Sequence, residues 1–322
     1  MLENLYLIHL DVSIWSGRRK LRPEDLHGIR LPEGTDKVAS LGSKKVISPE
    51  PLQVFSRIKN RAERACREIG TRFLGGFAVP KERFHEVVAP LKKAKADFTE
   101  EAGKLLACYE NACDEWVRAN PDWSEVLTRA RVPEHYVRNA LGFSYQVFQA
   151  QAVGDLDEES GAEFVKAVNS LPEQLFGEIA ADAGILWERV AQKEKVTQRA
   201  VSVVRRLHQK LQGLAMLDAG IGKSADWVGK GLSALPKTGK VGGNDLRAFC
   251  ALVLVMQDKN ALLKIARGDE SEVNATDILL PENPKLRVDD RSSEDPELAD
   301  SDAEAENENE EPPMDKAVGW FF

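Results

Sequence analysis

A chain of 322 residues, 43% hydrophobic and 30% charged, fits one large soluble domain or two modest ones carrying an over-charged appendage. Its net charge of −8 is unevenly spread: residues 289–316 hold 13 acidic and 2 basic side chains, or −11, which leaves the rest of the chain slightly basic at +3. No run of 18 apolar residues exists, and Asp11 and Arg18 interrupt the apolar N-terminal segment, which argues against a membrane helix or secretory leader and predicts a cytoplasmic protein.

In chain order, residues 5–15 alternate. Tyr6, Ile8, Leu10, Val12 and Ile14 share one face, and Leu7, His9, Asp11, Ser13 and Trp15 the other, which predicts a strand. Ser16-Gly17 ends it, and the cationic cluster Arg18, Arg19, Lys20 and Arg22 follows. A second β-like stretch, Lys44 to Ser48, is expected to pair with the first strand in a small N-terminal sheet. From Glu50 the period lengthens to that of a helix: Leu52, Phe55, Ile58, Ala62, Ala65 and Ile69 step at helical spacing, and Pro49 and Pro51 suit a first turn. Residues 71–77, with Gly75-Gly76, are expected to break it.

The longest periodic signal is Phe84, Val88, Leu91, Lys95, Phe98, Ala102, Leu105, Tyr109, Ala112 and Trp116, a 4-3 alternation that predicts a heptad helix roughly 50 Å long, ended by Asn120-Pro121. Shorter helices are expected near 122–130 and 133–152, then an acidic loop at 154–161 and an amphipathic segment at 162–179 divided by Pro172. A second heptad run, Val196, Ala200, Val203, Leu207, Lys210, Leu214 and Leu217, invites an antiparallel hairpin or bundle with the first, with homodimerisation through the same seams as the competing outcome. Residues 220–243 suggest a loop with one brief helix, and Leu246 to Ile265 a helix apolar on nearly all sides. From about Leu286 the composition is that of disorder.

The fold class expected is therefore mainly α, with long heptad helices, a small β-element at 1–48, a helical body at 49–268, a linker at 269–288 and an acidic tail at 289–322.

Few groups suggest chemistry. Gly220-Ile221-Gly222-Lys223-Ser224 looks like the end of a phosphate loop, but Leu217 stands where the motif needs glycine, and a helix rather than a strand precedes it. His85 with Glu86 and Glu82 lacks a third partner. Cys66, Cys108, Cys113 and Cys250 lie in apolar-periodic segments without metal spacing and read as reduced, buried thiols. No catalytic residue, metal site or cofactor is expected.

Two cationic features could hold a polyanion. One is Arg18, Arg19, Lys20 and Arg22 beside Trp15, since guanidinium groups next to an aromatic suit charge plus stacking. The other is a stripe on the second heptad helix: Lys193, Lys195, Arg199, Arg205, Arg206 and Lys210, with His208 among them and Glu188 and Glu194 diluting it. The acidic tail ends in Trp320, Phe321 and Phe322, a docking tip whose rings and terminal carboxylate can enter a partner's pocket or pack on the body itself.

The stretches Ile14 to Leu26, Ala39 to Lys44 and Arg72 to Pro80 resemble an uncharacterised bacterial domain-of-unknown-function family of plasmids, phages and integrative elements. That likeness is strong over residues 5–80 and extends through about 265. Members of the family are often encoded near a CobS/MoxR-like AAA+ ATPase and a von Willebrand factor A protein. That neighbourhood implies a substrate adaptor or partner of a ring ATPase, and the resemblance brings no catalytic residue. The leading expectation is therefore a mobile-element accessory protein, not an enzyme, that binds its partner through Trp320, Phe321 and Phe322. The tail is similar in design to that of bacterial single-stranded DNA-binding proteins. The alternative is a nucleic-acid-binding recombination or replication accessory protein with an autoinhibitory tail.

Overall fold

The structure, a computed structural model, describes residues 2–26, 41–151 and 158–269. The chain divides into two units, residues 1–280 and 281–322, and every described residue belongs to the first. The acidic tail and its aromatic tip lie outside the described residues.

The body is mainly α, as expected, with ten α-helices among the described residues. With them goes a four-stranded antiparallel sheet in the order β4 (Thr71–Phe73), β5 (Gly76–Pro80), β1 (Leu5–Ser13) and β6 (Gly142–Phe148). Strand β1 (Leu5–Ser13) alternates as its sequence predicts. Leu5 and Leu7 enter one apolar core, and Ile8, with Leu10 and Val12 behind it, enters the other. It pairs with β5 (Gly76–Pro80), Leu5 opposite Pro80, and along its length with β6 (Gly142–Phe148), Ser13 opposite Gly142.

Three strand assignments correct the sequence reading. The segment 71–77 is not a plain break but a hairpin, β4 (Thr71–Phe73) turning into β5. Gly75 supplies the positive φ of 74° that this turn needs. At Gly76 a Cβ would lie 2.4 Å from the Ile8 carbonyl oxygen, so only glycine lets the two backbones approach this closely. Residues 133–152, expected to be helical, hold a short helix, α4 (Glu134–Asn139), and then β6. The second β-like stretch, β3 (Ser43–Lys45), pairs not with β1 but with β2 (Arg18–Lys20) in a separate ribbon.

One core lies between the sheet and helices α1 (Glu50–Ile69) and α2 (Phe84–Ala119), where Phe55 and Phe98 meet at 4.8 Å between ring centroids. Helix α1 buries Leu52, Phe55, Ile58 and Ala62, four of the six predicted positions. Helix α2 runs 36 residues, close to the length predicted, but its buried seam is Val87, Leu91, Ala94, Phe98, Leu105, Tyr109 and Cys113. Val88 is half-buried and Lys95 exposed, because a straight helix drifts about 20° per heptad from a strict 3.5-residue repeat. Helix α3 (Ser124–Ala130) follows it.

The other core gathers α6 (Leu171–Val190), α7 (Gln198–Leu214), α8 (Ala219–Ser233), α9 (Gly243–Met256) and α10 (Lys259–Arg267), with α5 (Glu158–Asn169) before them. The second heptad run yields only the 17-residue α7, packed against α8 and α1 rather than paired along α2. Pro172 sits in the first turn of α6, where a missing N–H costs nothing. The apolar run 246–265 is split at Asp258, whose carboxylate caps α10 by accepting from the Asn260 N–H at 2.8 Å. The glycine-rich stretch 220–224 opens α8 instead of cradling phosphate: Asp218 caps it, and the buried Ser224 hydroxyl donates to the Leu262 carbonyl at 3.3 Å. Two-residue strands β7 (Lys195–Val196) and β8 (Val241–Gly242) tie the ends of this layer together. No helix among the described residues is long and apolar enough to cross a membrane.

Candidate functional site

The N-terminal cationic cluster is a built feature. Gly17 turns the chain out of β1 with φ 66°, in a place where a Cβ would strike Leu52, and sends Arg18 to Lys20 back along β3. The register sets Arg18 opposite Lys45 and Arg19 opposite Lys44. Like charges directly opposite one another in a ribbon are destabilising. One of these cations is neutralised locally: Lys44 pairs with Asp25, which also accepts the Arg22 N–H at 2.8 Å. Burial alone would raise the Asp25 pKa, but Lys44 and the Arg22 amide outweigh it and hold the carboxyl below the usual range.

Arg18, Arg19, Lys20, Arg22 and Lys45 stay exposed, and among the described residues no acidic side chain pairs with them. Arg19, Lys20, Arg22 and Lys44 join Arg129 of α3 around a cleft of about 590 Å³ that also carries Glu24 and Asp25. Lys44, Lys45 and Arg129 are not among the binding residues that the sequence suggests. The Lys44-Lys45 pair was visible as a signal, whereas Arg129 reaches the cleft only through the fold.

Trp15 corrects one part of that reading. It is 5% exposed, packed edge-on against Tyr109 at 5.7 Å, and so cannot stack on a base. The ribbon is held to α2 instead by the Trp116 indole N–H, which donates to the Lys45 carbonyl at 3.1 Å.

The second stripe comes apart. Lys193, Lys195 and Arg199 are exposed around the start of α7, with Lys195 in β7 and not on the helix. Arg205 turns to another face and donates to Gln198 at 2.9 Å, and Arg206 pairs with Glu68 of α1 at 3.0 Å. Lys210 is removed from the stripe altogether: it is 2% exposed and bonded to Glu178 at 2.6 Å, because a cation on the inner face of α7 has to meet a carboxylate. His208, also half-buried, has its pKa lowered by burial, against the Ala225 carbonyl and Asp226.

His85 is exposed, with Nδ1 3.1 Å from the Glu82 carbonyl, and Glu86 is engaged by Arg83. Among the described residues no group of three His, Cys, Asp or Glu side chains is placed to hold a metal. Of the cysteines, Cys66 and Cys113 are buried and Cys250 half-buried, but Cys108 is exposed, contrary to the expectation of four buried thiols. Burial, helped by Glu63, pushes the Cys66 thiol up to about 12. The docking residues Trp320, Phe321 and Phe322 lie outside the described residues.

A family described as a protein of unknown function (DUF3150) matches residues 2–258. No curated protein and no solved structure matches the chain.

Proposed function

The chain belongs to the DUF3150 family, and from that premise we propose that it is a non-enzymatic binding protein that holds a nucleic acid on the β2–β3 ribbon. The observation that carries this is the cross-strand pairing of Arg18 with Lys45, beside an exposed Arg19 whose opposite residue, Lys44, is already taken up by Asp25. A ribbon that sets cations opposite cations gives up stability unless a polyanion completes it. On the other face of the ribbon, Arg19, Lys20, Arg22 and Arg129 line a cleft that would add further phosphate contacts. The contact would be electrostatic and weakly sequence-dependent, because Trp15 is unavailable for stacking.

Titration of the full chain into fluorescently labelled single-stranded and duplex oligonucleotides tests it. Each phosphate neutralised adds about 0.9 to the salt slope for duplex and about 0.7 for single strands. Four contacts therefore weaken binding by about two orders of magnitude between 50 and 200 mM salt. The absence of binding at low salt refutes the reading.

A second reading rests on the sequence of the tail: −11 over residues 289–316, then Trp320-Phe321-Phe322. Here the chain is a mobile-element adaptor, with the tip as docking peptide for a protein partner such as a MoxR-like AAA+ ATPase and its von Willebrand factor A companion. Co-purification that survives removal of Trp320 to Phe322 overturns it.

A further inference from the structure

The two edges of the four-stranded sheet are finished differently. Strand β4 is only three residues long, and the Glu178 carboxylate caps it by accepting the Arg72 N–H at 2.9 Å and the Thr71 hydroxyl at 3.0 Å. Strand β6, at the opposite edge, runs seven residues, Gly-Phe-Ser-Tyr-Gln-Val-Phe, in unbroken register with β1. In an antiparallel pair every second residue exchanges its hydrogen bonds with the neighbour, and the residues between aim N–H and C=O away from the sheet. Among the described residues, β1 alone hydrogen-bonds the β6 backbone. A protein that keeps an edge to itself normally shortens it, bulges it, or sets a charge or a proline on it. Strand β6 has no charge, no proline and no bulge, and its last two residues, Val147 and Phe148, leave 38% and 46% of their surface exposed.

We propose that β6 pairs antiparallel with β6 of a second copy of this chain, across a two-fold axis, to close an eight-stranded sheet. The strand's own sequence favours that occupant. An axis at Tyr145 overlaps all seven residues and puts Phe143 of each copy opposite Val147 of the other, an aromatic with a β-branched side chain, which is a favourable cross-strand pair. The same register puts Phe148 opposite Gly142, where a large ring covers a residue without a side chain, and Ser144 opposite Gln146, two polar groups able to hydrogen-bond. No charge meets a like charge anywhere along it. The faces match as well. Phe143 is buried in the core between the sheet and helices α1 and α2, and Tyr145 packs against that core, so the second copy continues the same layer. A two-fold contact also uses up both open edges, so pairing stops at two copies. An extended segment of a different protein would use the same backbone groups but has no such matched side chains to select it. The contact is separate from the cationic ribbon and does not rest on nucleic-acid binding there.

Sedimentation velocity on the full chain tests this. The weight-average mass is expected to rise from that of one 35.7 kDa chain towards twice that value between about 1 and 100 µM, the range in which a small interface associates. Val147→Lys, which sets an ammonium group on the edge, is expected to weaken association at least ten-fold. Hydrogen exchange on the parent covers the case in which that variant misfolds. Amides of residues 142–148 are expected to slow several-fold at the higher concentration, and those of β4 not at all. Tyr145→Cys in a Cys108→Ser background, which removes the exposed native thiol, reads the register. It is expected to give at least five-fold more interchain disulfide than Val165→Cys, on α5, where Val165 is 51% exposed. A chain that stays single at about 100 µM overturns the proposal and leaves the edge to a segment of some other protein. So does a dimer that Val147→Lys leaves intact, or equal disulfide from both positions. Slowed exchange on α2 and α7 instead of β6 also overturns it, by moving self-association to the heptad helices. None of these outcomes bears on oligonucleotide binding, so either reading can fail alone.

Discussion

Lys210 Nζ donates to Glu178 Oε2 at 2.6 Å, with 2% of the lysine side chain and 16% of the glutamate exposed. The other carboxylate oxygen accepts the Thr71 hydroxyl at 3.0 Å and the Arg72 N–H at 2.9 Å. One carboxylate thus joins α7, α6 and the start of β4, and so ties a cationic helix to the edge of the sheet. Removing one partner of such a pair leaves an uncompensated charge inside, at a cost of about 3–5 kcal/mol. Lys210→Met is expected to lower the urea midpoint accordingly. Glu178→Leu should do as much, because it also orphans the Thr71 and Arg72 donors. A Lys210→Met variant as stable as the parent would show that the pair is solvated.

His208 makes stability pH-dependent. Its folded pKa is depressed, chiefly by burial, so the unfolded state binds the proton more readily. The stabilisation is complete above the ordinary imidazole value, near 6.5, and is lost as pH falls below it. The melting temperature is expected to drop between pH 7.5 and 5.5, and His208→Gln to flatten that drop. Asp25 and Glu86, both held below their usual values, stabilise the fold at neutral pH and lose that contribution only at lower pH, as the unfolded carboxylates protonate.

The thiols should separate by exposure. Cys108 is expected to alkylate within minutes under native conditions, whereas Cys66, buried and with its pKa pushed up to about 12, should react only on unfolding. Peptide mapping after timed iodoacetamide treatment reads this directly. Rapid labelling of Cys66 would mean that the core between α1 and α2 opens far more readily than its packing implies.

The helices were legible where one period ran undisturbed. The apolar positions of α1 and the length of α2 follow from spacing alone. The burial seam of α2 did not, because Val87 and Ala94 face a globular core and not a partner helix on a strict heptad. β6 was missed because Val137, Ala140, Leu141, Ser144, Val147 and Phe148 also fit a helical step. What makes Gly142–Phe148 a strand is β1, distant in sequence and offering an open edge. The same holds for the candidate site. Arg18 to Lys20 were visible as charge, but their opposition to Lys44 and Lys45 is a matter of register, and the loss of Trp15 and Lys210 to the interior is decided by tertiary packing.

Those cross-strand pairs separate a binding role from a structural one. Arg18→Glu turns the repulsion with Lys45 into attraction, so it is expected to raise stability by a few tenths to about 1 kcal/mol. A ribbon kept for structure alone would gain from the change and lose nothing. Thermal unfolding of Arg18→Glu beside the parent measures it, and a fall in stability would mean that Arg18 has a structural partner after all.

The most direct measurement is the salt dependence of oligonucleotide binding by the full chain and by Arg18→Glu with Lys45→Glu, both followed by fluorescence anisotropy. The account predicts tight binding by the parent at 50 mM salt. In the variant it predicts at least a ten-fold loss and a salt slope shallower by about 2. Identical affinities and slopes, or no binding by the parent, would contradict it.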